Sequence, residues 1–243
     1  PVAGIGGGRG HGWPGRARVR RRRSIRRRDR PILRQPAEEP IRIYAGLGGS
    51  AEDSEARAAL AVEDLSRAGG FQRADLLVVT TTGSGWVDPA LVDAFEYLTG
   101  GDAATVAIQY SYLPSWISYL VDQSKAREAG RDLFDAVYEE WSKLPPDSRP
   151  RLFVAGGRAS APSVGETAFS GEHDLSNRTA GTLFAGPPNF NTLFREFSDR
   201  REAGTPPEVE PVYKDGRTVR FTNDAQSGIP PAGRPWDAAG FCT

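Results

Sequence analysis

The sequence predicts an α/β chain: a mostly parallel sheet with helices on both faces, preceded by a basic arm without structure of its own. Three observations carry this. ADLLVVTTTG and RLFVAGG are near-continuous apolar runs, and strands that lack the alternation of a half-exposed strand are buried on both faces, as in parallel sheets. Each strand-like run alternates with a helical pattern, the order that builds β-α-β units. The apolar share is only 38%, with 28 Gly and 19 Pro, yet the shortfall is concentrated in residues 1–40 and 200–243 and spares the middle.

The arm comes first, as residues 1–39. GIGGGRGHGWPGR is glycine-rich, and RARVRRRRSIRRRDR repels itself. Residues 1–34 hold twelve Arg and one Asp, a net charge of +11; the chain is neutral overall, so the remainder carries −11. Arginines clustered over residues 9–34 suit phosphate backbones or anionic lipid heads. A solvated tail, or sequence read outside its native frame, explains the same block. GIGGGRG follows no strand and opens no helix, so it is a poor phosphate loop.

A folded body is expected over residues 40–222. IRIYAGL reads as a strand. SAEDSEARAALAVEDLSRAGG reads as a helix capped by Ser50 and stopped at Gly69-Gly70. ADLLVVTTTG is the second strand. VDPALVDAFEYLTGG is a helix with Asp88 as cap and Pro89 at its first position. ATVAIQYSYLPSW is the third strand. SKAREAGRDLFDAVYEEWSKL is a long amphipathic helix with Leu133, Val137 and Trp141 on one face. RLFVAGG is the fourth strand, GETAFSGEHDL a short helix, and GTLFAGPPNF the fifth strand. VYKDGRTVRF suggests a hairpin around Asp215-Gly216. Residues 223–243 show no strand or helix signal and read as an irregular tail, which would leave the fifth strand as an open sheet edge.

Composition narrows the chemistry. One cysteine, Cys242, excludes an internal disulfide framework. Two histidines, His11 and His173, leave no multi-His metal site. No cofactor is implied. No apolar run reaches the ~18 residues that a membrane-spanning helix needs.

In open α/β sheets, ligands bind beyond the carboxyl ends of the strands. TTTGSGW, YSYLPSW, AGGRAS and AGPPNFN then line one rim. Together, RIYAGL, VVTTTGSGWVDP, AIQYSYLPSWISYLVDQSKAREAGRDLFDAVYEEW, TAFSG and LFAGPPNFN resemble a bacterial family of membrane proteins with an α/β-hydrolase domain, the α/β-hydrolase-9 family. The resemblance runs from about Pro40 to Phe221. It implies a partial α/β-hydrolase-type sheet, a serine hydrolase acting on small ester or acyl substrates, and membrane association of the parent proteins with the hydrolase domain outside the bilayer.

The resemblance breaks at one place. The nucleophile of this fold sits on a tight Gly-x-Ser-x-Gly turn between a strand and a helix. The family places Gly-Glu-Ser-Leu-Gly-Ser-Phe-Gly there. This chain has Gly156-Gly157-Arg158-Ala159-Ser160, with Arg where Ser belongs, and Ser163 farther on. Codons exist for Gly157–Val164 that, read from the third base of the first, spell Glu-Ser-Leu-Gly-Ser-Phe-Gly. Paired small frameshifts in the DNA would therefore explain the change. The family's acid and histidine strands are expected after Pro235-Trp236, where the chain reads DAAGFCT, so the catalytic domain is expected to be truncated.

The expectation is a chain without a working triad. No catalytic residue stands out in the elbow region of Gly156, Gly157, Arg158, Ala159, Ser160 and Ser163. Neither Ser160 nor Ser163 has flanking elbow glycines, and His173 precedes the place of a triad base. Thr82 and Gly83 are candidate oxyanion donors, or merely a strand-ending turn under Trp86. Tyr110 and Trp116 are candidates to wall a pocket or pack the core, and Asn189 to bond a ligand. Asp88 and Asp122 read as caps or surface charges.

Overall fold

β2 (Asp75–Thr80) and β3 (Ala103–Ile108) are buried along their whole length, as their unbroken apolar runs require. They belong to a computed structural model that describes residues 37–49, 51–113, 117, 121, 123–157, 161–206, 211–223 and 239–242. The other strands are β1 (Ile41–Ala45), β4 (Arg151–Gly156), β5 (Gly181–Ala185), β6 (Val212–Tyr213), β7 (Val219–Thr222) and β8 (Ala239–Cys242). The sheet order is β1-β3-β2-β4-β5-β8-β7-β6. Every neighbouring pair is parallel except the β6–β7 hairpin. Val78 lies level with Val106 on one side and Val154 on the other.

Successive strand residues point to opposite faces, so each strand feeds two cores. Leu76, Val78, Val106, Leu152 and Val154 face the larger one. It is covered by α1 (Ser54–Arg67), α3 (Gln123–Lys143), α4 (Ala161–Glu166) and α6 (Thr192–Asp199). Leu77, Val79, Ala107 and Ala155 face the smaller one, beneath Leu91, Val92 and Phe95 of α2 (Pro89–Leu98). A seven-residue helix, α5 (Glu172–Arg178), completes the β4-to-β5 crossover.

The helix ends follow local chemistry. Asp88 caps α2 by accepting the Ala90 N–H at 3.0 Å, and Pro89 occupies the first turn, where its missing N–H costs nothing. The cap of α1 is Asp53, which accepts the Ala56 N–H at 2.8 Å, rather than the expected Ser50, which lies outside the described residues. Both residue types cap well, and the helix takes the one nearer its first apolar position. In α3, Leu133, Phe134 and Val137 are buried, and the Trp141 indole N–H donates to Pro150 O at 2.7 Å.

Two sequence expectations need correction. The segment after β4 holds two helices, and the first starts at Ala161 rather than near Gly165. Pro162 sits in its first turn, where proline fits a helix. Residues 223–243 are not wholly irregular, because Ala239–Cys242 form β8, paired with β5 and with β7. The sheet therefore does not stop at β5. AGFC has no alternation to announce it; its pairing on both sides comes from the backbone. The expected hairpin is present, with Asp215 at φ 58° and Gly216 at φ 61° in its turn. Of the arm, residues 1–36 lie outside the described residues, while Glu38 already donates its N–H to Gly100 O at 2.9 Å.

Candidate active site

The crossover after β2 leaves through α2 to one face of the sheet, and the crossover after β4 leaves through α4 to the other. β2 and β4 are neighbours, so the chain parts to opposite faces beyond their carboxyl ends, the switch point where sheets of this kind bind ligands.

The turn after β2 is closed upon itself. The Thr82 N–H donates to Trp86 O at 3.0 Å, the Gly85 N–H to Thr82 O at 2.8 Å, and the Trp86 N–H to Thr82 Oγ1 at 3.2 Å. Gly85 sits at φ 82°, with Gln109 and the Tyr44 hydroxyl where a side chain would project, so only glycine fits. Gln109 laces three loops: its amide donates to Ser84 O at 3.1 Å and Ser111 O at 2.9 Å, and its oxygen accepts the Leu47 N–H at 3.4 Å. The Tyr44 hydroxyl donates to Gly85 O at 3.1 Å, and burial pushes its phenol well above the usual range. The Thr82 N–H is thus engaged inside its own turn, and buried Gly83 is the remaining oxyanion candidate of the pair.

The residues that flank the turn after β4 leave no room for side chains at two glycines. A side chain on Gly156 would lie 2.7 Å from the Ala161 carbonyl carbon, and one on Gly157 would lie 2.6 Å from Asp88 Cβ. Both glycines let backbone pass close to its neighbours, as an elbow demands. Thr80 Oγ1 fastens strand to helix by its bonds with Ala155 O at 3.2 Å and Ala161 O at 2.7 Å. Arg158, Ala159 and Ser160 lie outside the described residues.

Ser163 lies in α4 at 6% exposure, and its hydroxyl donates to Asn191 Oδ1 at 2.7 Å, with Asn191 at 3%. One turn on, Glu166 is 7% exposed and accepts the N–H groups of Thr192 at 2.8 Å and Leu193 at 3.1 Å. Burial pushes its carboxyl up to about 7, opposed by N–H donors of Thr192, Leu193 and Phe194 and by the charge of Arg127.

The other predicted residues divide. Tyr110 is buried in the larger core, Trp86 is half-buried at the turn, Asn189 is exposed, and His173 is exposed on α5. Trp116 and Asp122 lie outside the described residues. The reading of the sequence missed Glu166 and Asn191. Ser163-x-x-Glu166 has the spacing of a capping box, a signal that could have flagged Glu166, although the helix it caps is α6 rather than its own. Among the described residues no group of three or more His, Cys, Asp or Glu could hold a metal ion, and no helix is long and apolar enough to cross a membrane.

A parallel sheet with helices on both faces and its crossovers parting between β2 and β4 fits the α/β-hydrolase class. A family model described as the alpha/beta-hydrolase family matches residues 41–241, and the chain belongs to that family. Comparisons with curated proteins and with solved structures return no match.

Proposed function

We propose that this domain is by descent a serine hydrolase for ester or acyl substrates, bound at the crevice between the β2 and β4 turns, and that this chain does not perform the hydrolysis. The observation that carries the second half is Ser163. It is the hydroxyl on the elbow helix, and it is buried and donates to the carbonyl oxygen of Asn191. An amide oxygen cannot take a proton at neutral pH, so this bond does not activate the serine as a nucleophile. His173 faces solvent on α5. A fluorophosphonate probe is expected to leave the chain unlabelled; stoichiometric labelling at Ser160 or Ser163 would overturn the reading. The altered elbow is attributed to paired frameshifts, and sequencing the locus decides that point: codons for Gly157–Val164 that cannot be read in the shifted frame exclude it.

A second reading rests on the +11 charge of residues 1–34. In it, the arm holds nucleic acid or an anionic membrane, in keeping with membrane association of the parent proteins, and the α/β body serves as scaffold. Affinity for unspecific duplex DNA or for anionic vesicles is then expected to fall steeply with salt and to vanish when residues 1–34 are removed. Binding retained after that deletion refutes it.

A further inference from the structure

A cavity of about 340 Å³ opens at the end of the sheet opposite the β2 and β4 turns, between the end of α3, the start of β4 and the end of α5. Trp141, Pro146, Pro150, Leu152 and Ala180 give it apolar walls. The charged residues that line it are Arg149, Arg151 and Arg178, and among the described residues no acid does. Two of these charges are matched from outside the cavity. Arg151 holds the Asp75 carboxylate through two bonds of 2.7 and 2.9 Å. Arg178 donates to Asp135 Oδ1 at 2.6 Å and lies 3.8 Å from Asp174 Oδ2.

Arg149 is held without a carboxylate. Its guanidinium donates to Leu144 O at 2.7 Å and to Ser142 O, and lies 4.7 Å from the centre of the Trp141 ring. Those carbonyls belong to the C-terminal end of α3, which offers only about half an elementary negative charge. Part of the Arg149 charge is therefore left to the cavity. The other polar side chains of the lining divide in the same way. The Trp141 indole N–H is taken by Pro150 O and the Thr179 hydroxyl by Leu175 O, whereas the exposed Asn177 amide bonds to no described residue.

We propose that this cavity binds a small organic acid, with one carboxylate paired to Arg149 and Asn177 and a flat apolar body against Trp141, the two prolines and Leu152. One unmatched cation selects a single negative charge, and a guanidinium fits the planar carboxylate. Apolar walls with a few polar groups are the usual make-up of a small-molecule site, and this volume is at the small end of such sites, suited to one ring rather than a nucleotide. The site stands apart from the crevice of the proposed hydrolase reading and does not depend on it.

Titration of the full chain with benzoate tests it, with benzamide as the neutral analogue and inorganic phosphate as the anion without a ring. Benzoate is expected to bind with an affinity of about 1 mM, in keeping with its few atoms, and to shift amide resonances of residues 141–152 and 177–180. Benzamide and phosphate are each expected to bind about 10-fold or more weakly than benzoate, because each lacks one half of the match. Arg149→Gln is expected to lower benzoate affinity about 10-fold. Asn177→Leu alters an exposed side chain, so it is expected to unfold at an unchanged temperature while losing about fivefold in affinity. This second variant decides the matter if Arg149→Gln loosens the end of α3. No saturation by about 10 mM benzoate, equal binding of benzamide or phosphate, shifts confined to other residues, or full affinity in Asn177→Leu would overturn the proposal.

Discussion

The turn after β2 and the described residues that flank the turn after β4 lie at the same end of the sheet, yet they are held by opposite means. The β2 turn is self-sufficient: Thr82, Gly85 and Trp86 bond to one another, and Gln109 and Tyr44 tie the result to β1 and β3. The described residues around the β4 turn are held from far away in sequence: Gly157 lies against Asp88, and Glu166 at the end of α4 caps α6, 26 residues on. A turn closed by its own hydrogen bonds depends on a few local residues. A segment held by distant partners depends on everything that positions them.

The largest expected effect tests the second kind of closure. Gly165→Val places methyl groups against the Phe184 ring, which is fully buried in the larger core. The core cannot expand to receive them, and a loss of about 3 kcal/mol is expected in urea unfolding. A loss under 1 kcal/mol would mean that α4 is not clamped. The self-sufficient turn is probed by Gln109→Leu, which leaves Ser84 O, Ser111 O and the Leu47 N–H without their partner. A cost of about 2 kcal/mol is expected, because buried polar groups stripped of a partner carry their desolvation penalty. Asp88 stands between the two turns, as the cap of α2 and the neighbour of Gly157. Asp88→Ala should cost only about 1 kcal/mol, the usual value of an N-cap. Thermal unfolding with a matched Gly157 variant would show whether the two turns feel each other through this residue.

The parts legible in the sequence were those written in local patterns. The runs through Leu76–Val79 and Ala103–Ile108 announce strands buried on both faces, and Asp88-Pro89 announces the start of α2. The resemblance to the α/β-hydrolase family rests on long motifs, and the family match over residues 41–241 agrees with it. The candidate site was less legible because its defining bonds are long-range. Nothing local links Ser163 to Asn191, or Glu166 to the N–H of Leu193. Asn189 drew attention as the rim asparagine, but the loop turns Asn191 inward instead, where it precedes the first turn of α6. β8 escaped notice for a related reason: its pairing with β5 is long-range in the sequence.

That strand has a consequence for assembly. The β6–β7 hairpin precedes β8 in the chain, yet it reaches β5 only through β8. Backbone pairing along this side of the sheet cannot therefore follow the order of synthesis. The hairpin must wait for a segment made after it, and until that segment arrives β5 presents an unpaired edge. Joining contacts so far apart along the chain slows folding and prolongs the time in which such an edge can recruit another chain. Nascent chains of this protein are expected to be most vulnerable to mispairing in the interval between emergence of the hairpin and emergence of Ala239–Cys242.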